Sequence, residues 1–203
     1  IWVAESGEEF QLWGLWPNQV RTPTLPEAGL MAPMVYGGTG EFAEFDGKAL
    51  DGRIVLMEFE SWNHWLRAAA LGARAVVFIE PEDPSWRQAN AKYAQVPLDI
   101  PRFWVRRATG EALRKRLGAG EVLVELQGRM EWQERPAWNI WGVILGSDPE
   151  LRRETIAVEA YYDGISVVPA LAPSAETACS ITGLLALARH LQRSPPKRTV
   201  LLL

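Results

Sequence analysis

Imidazole and thiol are the side chains that most often bind transition metals or attack carbonyl carbons near neutral pH, and this sequence is poor in both. Its 203 residues include two histidines, His64 and His190, and one cysteine, Cys179. A single thiol excludes an internal disulfide, a Cys-x-x-Cys redox pair and a thiolate-rich zinc cage. Cys179 has no histidine close in sequence to activate it, so it reads as a small core residue and not as a nucleophile. Both histidines read as surface or packing residues. Ser166, Ser174 and Ser180 lack a nucleophile-elbow pattern and a visible base. The run Gly37-Gly38-Thr39-Gly40 is followed by no lysine at phosphate-loop spacing and reads as a turn. The cluster Arg106, Arg107, Arg114, Lys115 and Arg116 offers either an anion site or a solvated helix face, and the second is the default.

Composition narrows the classes further. Hydrophobic residues at 48% and charged residues at 23% are those of a globular chain. With 21 basic against 25 acidic residues, the net charge of -4 argues against binding nucleic acid through phosphate contacts. No apolar run approaches the ~18 residues of a membrane-spanning helix. The length suits one large domain or two small ones. An opening at Ile1 without a signal-like segment, and a last stretch Arg198-Thr199-Val200-Leu201-Leu202-Leu203 that reads as a strand, suggest a piece of a longer protein.

The elements that must position any site follow from periodicity. Residues 1–32 are rich in tryptophan and proline, without sustained period, and read as an extended segment packing its aromatics on a neighbour. Ile54–Phe59 and Ala75–Ile79 are short, apolar and bounded by turn residues, which predicts two buried strands. A helix over Trp62–Leu71 connects them, so the strands are expected to be parallel. A polar stretch runs to Gln95. The prolines within Val96–Val105 predict an edge strand or an extended approach. Ala108–Leu117 reads as an amphipathic helix with Leu113 and Leu117 inward, and Glu121–Leu126 alternates like a half-exposed strand. A second unit begins near Pro136, with strands over Asn139–Gly146 and Thr155–Tyr162. A helix over Ala175–Gln192 follows, on which Ile181, Leu184, Leu185, Ala188 and Leu191 form one apolar face.

Two stretches resemble known families. Residues 33–135 contain Gly47-Lys48-Ala49-Leu50-Asp51-Gly52-Arg53-Ile54-Val55-Leu56 and Ala68-Ala69-Ala70-Leu71-Gly72-Ala73-Arg74-Ala75-Val76-Val77-Phe78-Ile79, and resemble a protease-associated domain. Residues 136–203 contain Asn139-Ile140-Trp141-Gly142-Val143-Ile144-Leu145-Gly146-Ser147-Asp148-Pro149, the strand into Tyr161-Tyr162-Asp163, a helix and a Pro-Lys-Arg-Thr strand. They resemble the first part of the zinc aminopeptidase and glutamate-carboxypeptidase-like family. The resemblance implies an α/β fold: a protease-associated-like domain, then the first β-α-β part of a zinc-peptidase-like mixed sheet.

It also implies where metal ligands would stand. Active members hold two zinc ions, with a histidine of a strand-end His-x-Asp as first ligand and a bridging aspartate just before the helix. Here the histidine position is held by Tyr161, the following aspartate is kept as Asp163, and the bridging position falls on Glu176. Further ligands, including a Glu-Glu pair, would lie beyond Leu203. A phenol ionises only near pH 10 and coordinates poorly while protonated. Glutamate for aspartate keeps the charge but displaces it by a methylene, where tolerance is about 0.5 Å. Asp163 either supports a metal site from behind or stabilises the Asp163-Gly164 turn.

The expectation is therefore a non-catalytic peptidase-like module with a degenerate site at Tyr161, Asp163 and Glu176 and no cofactor. It would bind a peptide or protein, or the remainder of its own chain, and be exported or tethered to a membrane. The alternative is an active zinc metallopeptidase that recruits Asp163 and Glu176 together with later residues.

Overall fold

The computed structural model describes residues 1–17, 22–93, 98–172 and 175–203, with the backbone alone at 175–177. Two compact units emerge, residues 1–132 with 166–171, and residues 133–165 with 172–203.

The first unit contains, in chain order, β1 (Trp2–Val3), β2 (Glu8–Glu9), β3 (Trp13–Gly14), β4 (Leu30–Tyr36), α1 (Phe42–Phe45), β5 (Ile54–Glu58), α2 (Trp65–Ala70), β6 (Ala75–Ile79), α3 (Trp86–Asn90), β7 (Arg102–Val105), α4 (Arg107–Leu117) and β8 (Val122–Leu126). Among the described residues its strands form one sheet in the order β2-β1-β8-β4-β5-β6-β7-β3. The run β4-β5-β6-β7 is parallel, and β8 and β3 close its two sides antiparallel. The two-residue period of a strand sends Ile54, Leu56, Ala75, Val77, Phe103 and Val105 to one core, with Leu113 of α4 above them. Val55, Met57, Val76, Phe78 and Trp104 go to a second core, under Trp65 and Ala68 of α2. Burial on both faces is what the near-continuous apolar runs of β5 and β6 specify. At Gly110 of α4 a Cβ would stand 2.5 Å from Ile79 Cγ2, so glycine is what lets this helix approach the sheet.

Four local features differ from the sequence reading. The helix expected from Trp62 starts at Trp65, because Trp62 takes a left-handed backbone with φ +46°. The polar stretch contains α3, capped by Ser85 Oγ accepting from the Gln88 N–H at 3.2 Å. The strand Arg102–Val105 lies between β6 and β3 and not at the edge. Pro101 precedes it and therefore removes no ladder donor; Val96 and Pro97 lie outside the described residues. The opening segment contributes three two-residue strands, with Trp13 partly packed on the second core and Trp16 exposed.

The second unit holds β9 (Gly142–Ile144), β10 (Thr155–Val158), α5 (Ala175–Arg193) and β11 (Thr199–Leu202). β11 is central, parallel to β10 and antiparallel to β9, so β10-α5-β11 is the expected β-α-β element. Thr199 and Val200 of β11 are buried. Thr199 Oγ1 donates to the Arg152 carbonyl at 2.7 Å and accepts from the Gly146 N–H at 3.2 Å, which satisfies a hydroxyl taken out of water. Asp148 accepts from the N–H groups of Leu151 and Glu150, and these bonds lower its carboxyl pKa while fixing the turn. On α5, Ile181, Leu184, Ala188 and Leu191 are half-buried and Leu185 is exposed, so the expected apolar face is only partly covered. Cys179 is exposed, contrary to its reading as a core residue. It stands two residues from Ile181, which puts it about 200° around the helix from the packed side.

Candidate functional site

The sequence places its candidate site where β10 runs out. Beyond Val158 the ladder continues for one more exchange, the Ala160 N–H donating to Leu203 O at 3.0 Å and the Leu203 N–H to Val158 O at 2.9 Å. The chain then leaves the sheet and presents Tyr161, Tyr162 and Asp163 at the surface. Tyr161 is 72% exposed. Tyr162 is tied down, its hydroxyl donating to the Trp138 carbonyl at 2.8 Å. Asp163 is exposed, and no turn forms at Asp163-Gly164. The expected turn therefore has no hydrogen bond to hold it.

Glu176 falls in the first turn of α5, and its side chain lies outside the described residues, as does Ser174. His190 is exposed in the last turn of α5. Among the described residues no three His, Cys, Asp or Glu side chains converge closely enough to hold a metal ion. The donors at the two positions singled out, the Tyr161 phenol and the Asp163 carboxylate, lack the imidazole that the resembled zinc site uses.

The basic cluster resolves as a solvated, paired face. Arg106 bonds Glu80, Arg107 lies 3.3 Å from Glu82, Arg114 lies 3.6 Å from Glu58, and Arg116 bonds Glu8. With four of the five charges matched to carboxylates and Lys115 exposed, little is left for an anion. Gly37–Gly40 is a turn, as expected, its Thr39 N–H and hydroxyl both donating to Glu44. His64 Nδ1 is 3.3 Å from both the Thr39 carbonyl and Glu41, a packing role.

A second constellation, in the first unit, escaped the sequence reading. Lys92 is fully buried and its ammonium donates to the Trp62 carbonyl at 2.5 Å, over the rings of Phe59 and Phe78 at 5.0 and 5.2 Å. Burial, reinforced by the nearby Arg102 charge, lowers the Lys92 pKa to about 7. Arg102 is also buried; it donates to the Lys92 and Trp16 carbonyls and lies 4.9 Å from the Trp65 ring. Burial lowers its pKa to about 10. Gln88 Oε1 accepts from the Trp62 N–H at 2.8 Å. Beside this scaffold lies a cavity of about 550 Å³ lined by residues of 62–66 and 86–93. The signal available in the sequence was the Ser85-x-x-Gln88 helix start, which places Lys92 just after a short helix.

The chain is a mixed α/β fold with a large mixed sheet and a β-α-β element, and solved zinc aminopeptidases contain this fold. A zinc aminopeptidase from Bacillus subtilis superposes with a TM-score of 0.61 at 20% identity, over 98% of this chain and 46% of its own. An aminopeptidase from Aneurinibacillus sp. strain AM-1 gives 0.53 at 19% identity, over 98% and 46%. A peptidase M28 precursor from Shewanella amazonensis SB2B gives 0.60 at 16% identity, over 96% and 48%. At these identities the likeness is one of fold, and the chain spans just under half the length of each of these proteins. No protein-family model matches the chain, and no curated protein matches its sequence. No helix among the described residues is long and apolar enough to cross a membrane.

Proposed function

We propose that this protein is a non-catalytic, peptidase-like module that binds a peptide or protein segment outside the cytoplasm. The supporting observation is the strand end after β10, where Tyr161 stands in place of the imidazole that the family resemblance requires. A phenol, unlike an imidazole, coordinates zinc well only after losing a proton, and a lone Asp163 cannot replace the missing ligand. The first unit is read as a protease-associated-like domain on the strength of its sequence resemblance. The exposed Trp138, Ile140, Trp141, Leu145 and Ile165 of the second unit form apolar surface of the kind that further chain or a protein partner covers.

The test is metal analysis and peptidase assay of the intact protein. Zinc well below one equivalent after dialysis, and no release of p-nitroaniline from aminoacyl substrates with zinc added, are the expected results. Two tightly held zinc ions with aminoacyl cleavage would overturn the proposal. Cell fractionation tests the export.

One observation favours a second reading, an active zinc metallopeptidase: the aspartate of the His-x-Asp pattern is retained as Asp163. In that enzyme Asp163 and Glu176 would join ligands from outside residues 1–203, and the bound metal would supply Lewis-acid activation of water and carbonyl.

A further inference from the structure

Trp62 is, among the described residues, the one non-glycine with a left-handed backbone. A bulky side chain adopts this region only when its surroundings hold it there, and such strain clusters at binding sites. The surroundings are identifiable. The Lys92 ammonium holds the Trp62 carbonyl and the Gln88 side chain holds its N–H, both from buried positions. Two buried polar side chains, one of them a desolvated cation, thus fix a residue whose ring is half exposed. The indole of Trp62 lines the 550 Å³ cavity, together with the 72% exposed Trp86, Tyr93, Asn63, Asn90 and Arg87.

The lining has a definite chemical bias. Its aromatic faces are flat and preformed. Its polar groups are the indole N–H groups of Trp62 and Trp86, the Arg87 guanidinium, the carboxamides of Asn63 and Asn90, the Tyr93 hydroxyl and His64, with no carboxylate. A cationic ligand is disfavoured beside Arg87, where no carboxylate lines the cavity. A polyproline II segment matches the bias: its carbonyls accept, its prolines have no N–H to satisfy, and its ring ridges fit between aromatic side chains. We propose that the cavity walled by Trp62, Trp86 and Tyr93 binds a proline-rich peptide in the polyproline II conformation. This rests on the peptide-binding reading above and gives it a location and a ligand class.

The intact protein labelled with 5-fluorotryptophan provides the test, with acetylated, amidated decaproline as probe and cellohexaose as comparator. The Trp62 and Trp86 resonances are assigned from Trp62→Asn and Trp86→Ala. Asparagine tolerates the left-handed backbone, so W62N removes the ring without forcing the chain to rearrange. Decaproline is expected to shift both resonances saturably, and each substitution to weaken binding at least ~10-fold while the circular dichroism spectrum stays unchanged. Absence of any saturable shift, or shifts elicited by cellohexaose in place of decaproline, overturns the site. Decaproline binding that survives both substitutions also overturns it, yet leaves the wider peptide-binding reading standing. Aminoacyl hydrolysis by the intact protein overturns the non-catalytic part of the reading above, while the decaproline titration alone decides this site.

Discussion

The two units solve the same problem to different degrees. In the first, a sheet buries both faces: β5 and β6 alternate between two cores, each roofed by a helix, and Trp65, Phe78 and Leu113 are sealed from water. In the second, three strands and one helix shelter Thr199 and Val200 but leave Trp138, Ile140, Trp141, Leu145, Tyr161 and Ile165 exposed. The sequences of both are rich in apolar residues. What separates them is the number of neighbouring layers, since a sheet or helix buries its apolar side only against another element. Apolar patterning says that a face wants covering, and not whether the cover is at hand.

The largest expected break in the comparison is a core truncation. Phe78→Ala in the first unit should cost about 3–5 kcal/mol of unfolding free energy, whereas Leu185→Ala on the exposed part of α5 should stay within about 0.5 kcal/mol. Urea denaturation of both variants checks this. Comparable losses would mean that the second unit is as tightly covered as the first.

Next in size is the buried lysine. Unfolded, Lys92 keeps its proton to about pH 10.5; folded, burial lowers the pKa to about 7. Between those values the unfolded chain binds more protons, so stability rises with pH across this window. At ~1.36 kcal/mol per pH unit, the gain from pH 7 to 9 approaches about 2–3 kcal/mol at most. The same denaturation series on Lys92→Met should lose most of that slope.

At the degenerate strand end the comparison is sharpened by restoring donors. Tyr161→His combined with Glu176→Asp in the intact protein should raise zinc retention several-fold in equilibrium dialysis, without restoring full peptidase activity. Smallest of all, Arg116→Ala, which removes the exposed ion pair with Glu8, should shift stability by less than about 1 kcal/mol.

Much of the first unit could be read from the sequence because its strands are short, apolar and bounded by turns. Ala75–Ile79 was expected at its observed limits, and Ile54–Glu58 differs by one residue. The amphipathic helix near Ala108–Leu117 and the alternating strand ending at Leu126 follow the same periodicities. Periodicity fails where a single residue departs from its propensity. Nothing in the letters around Trp62 announces a left-handed tryptophan, because its cause, Lys92 and Gln88, lies some 26–30 residues away. Cys179 was misplaced for the converse reason: burial was assumed from residue type, whereas helical phase puts it away from the packed side. At the candidate site the types of Tyr161 and Asp163 were plain from sequence. Their exposure required the strand to end at Val158, three residues before the tyrosine.

The place of β11 in the second sheet has a consequence for how that sheet assembles. β9 and β10 each pair with β11, and neither pairs with the other, so Leu202 must find Gly142 across some sixty residues. Ribosomal synthesis delivers the keystone after both flanking strands, which pair with no other strand among the described residues. Closure over so long a separation is intrinsically slow. During that interval two unpaired apolar strands wait in the nascent chain, which makes this region the natural point for chaperone capture or for misassembly.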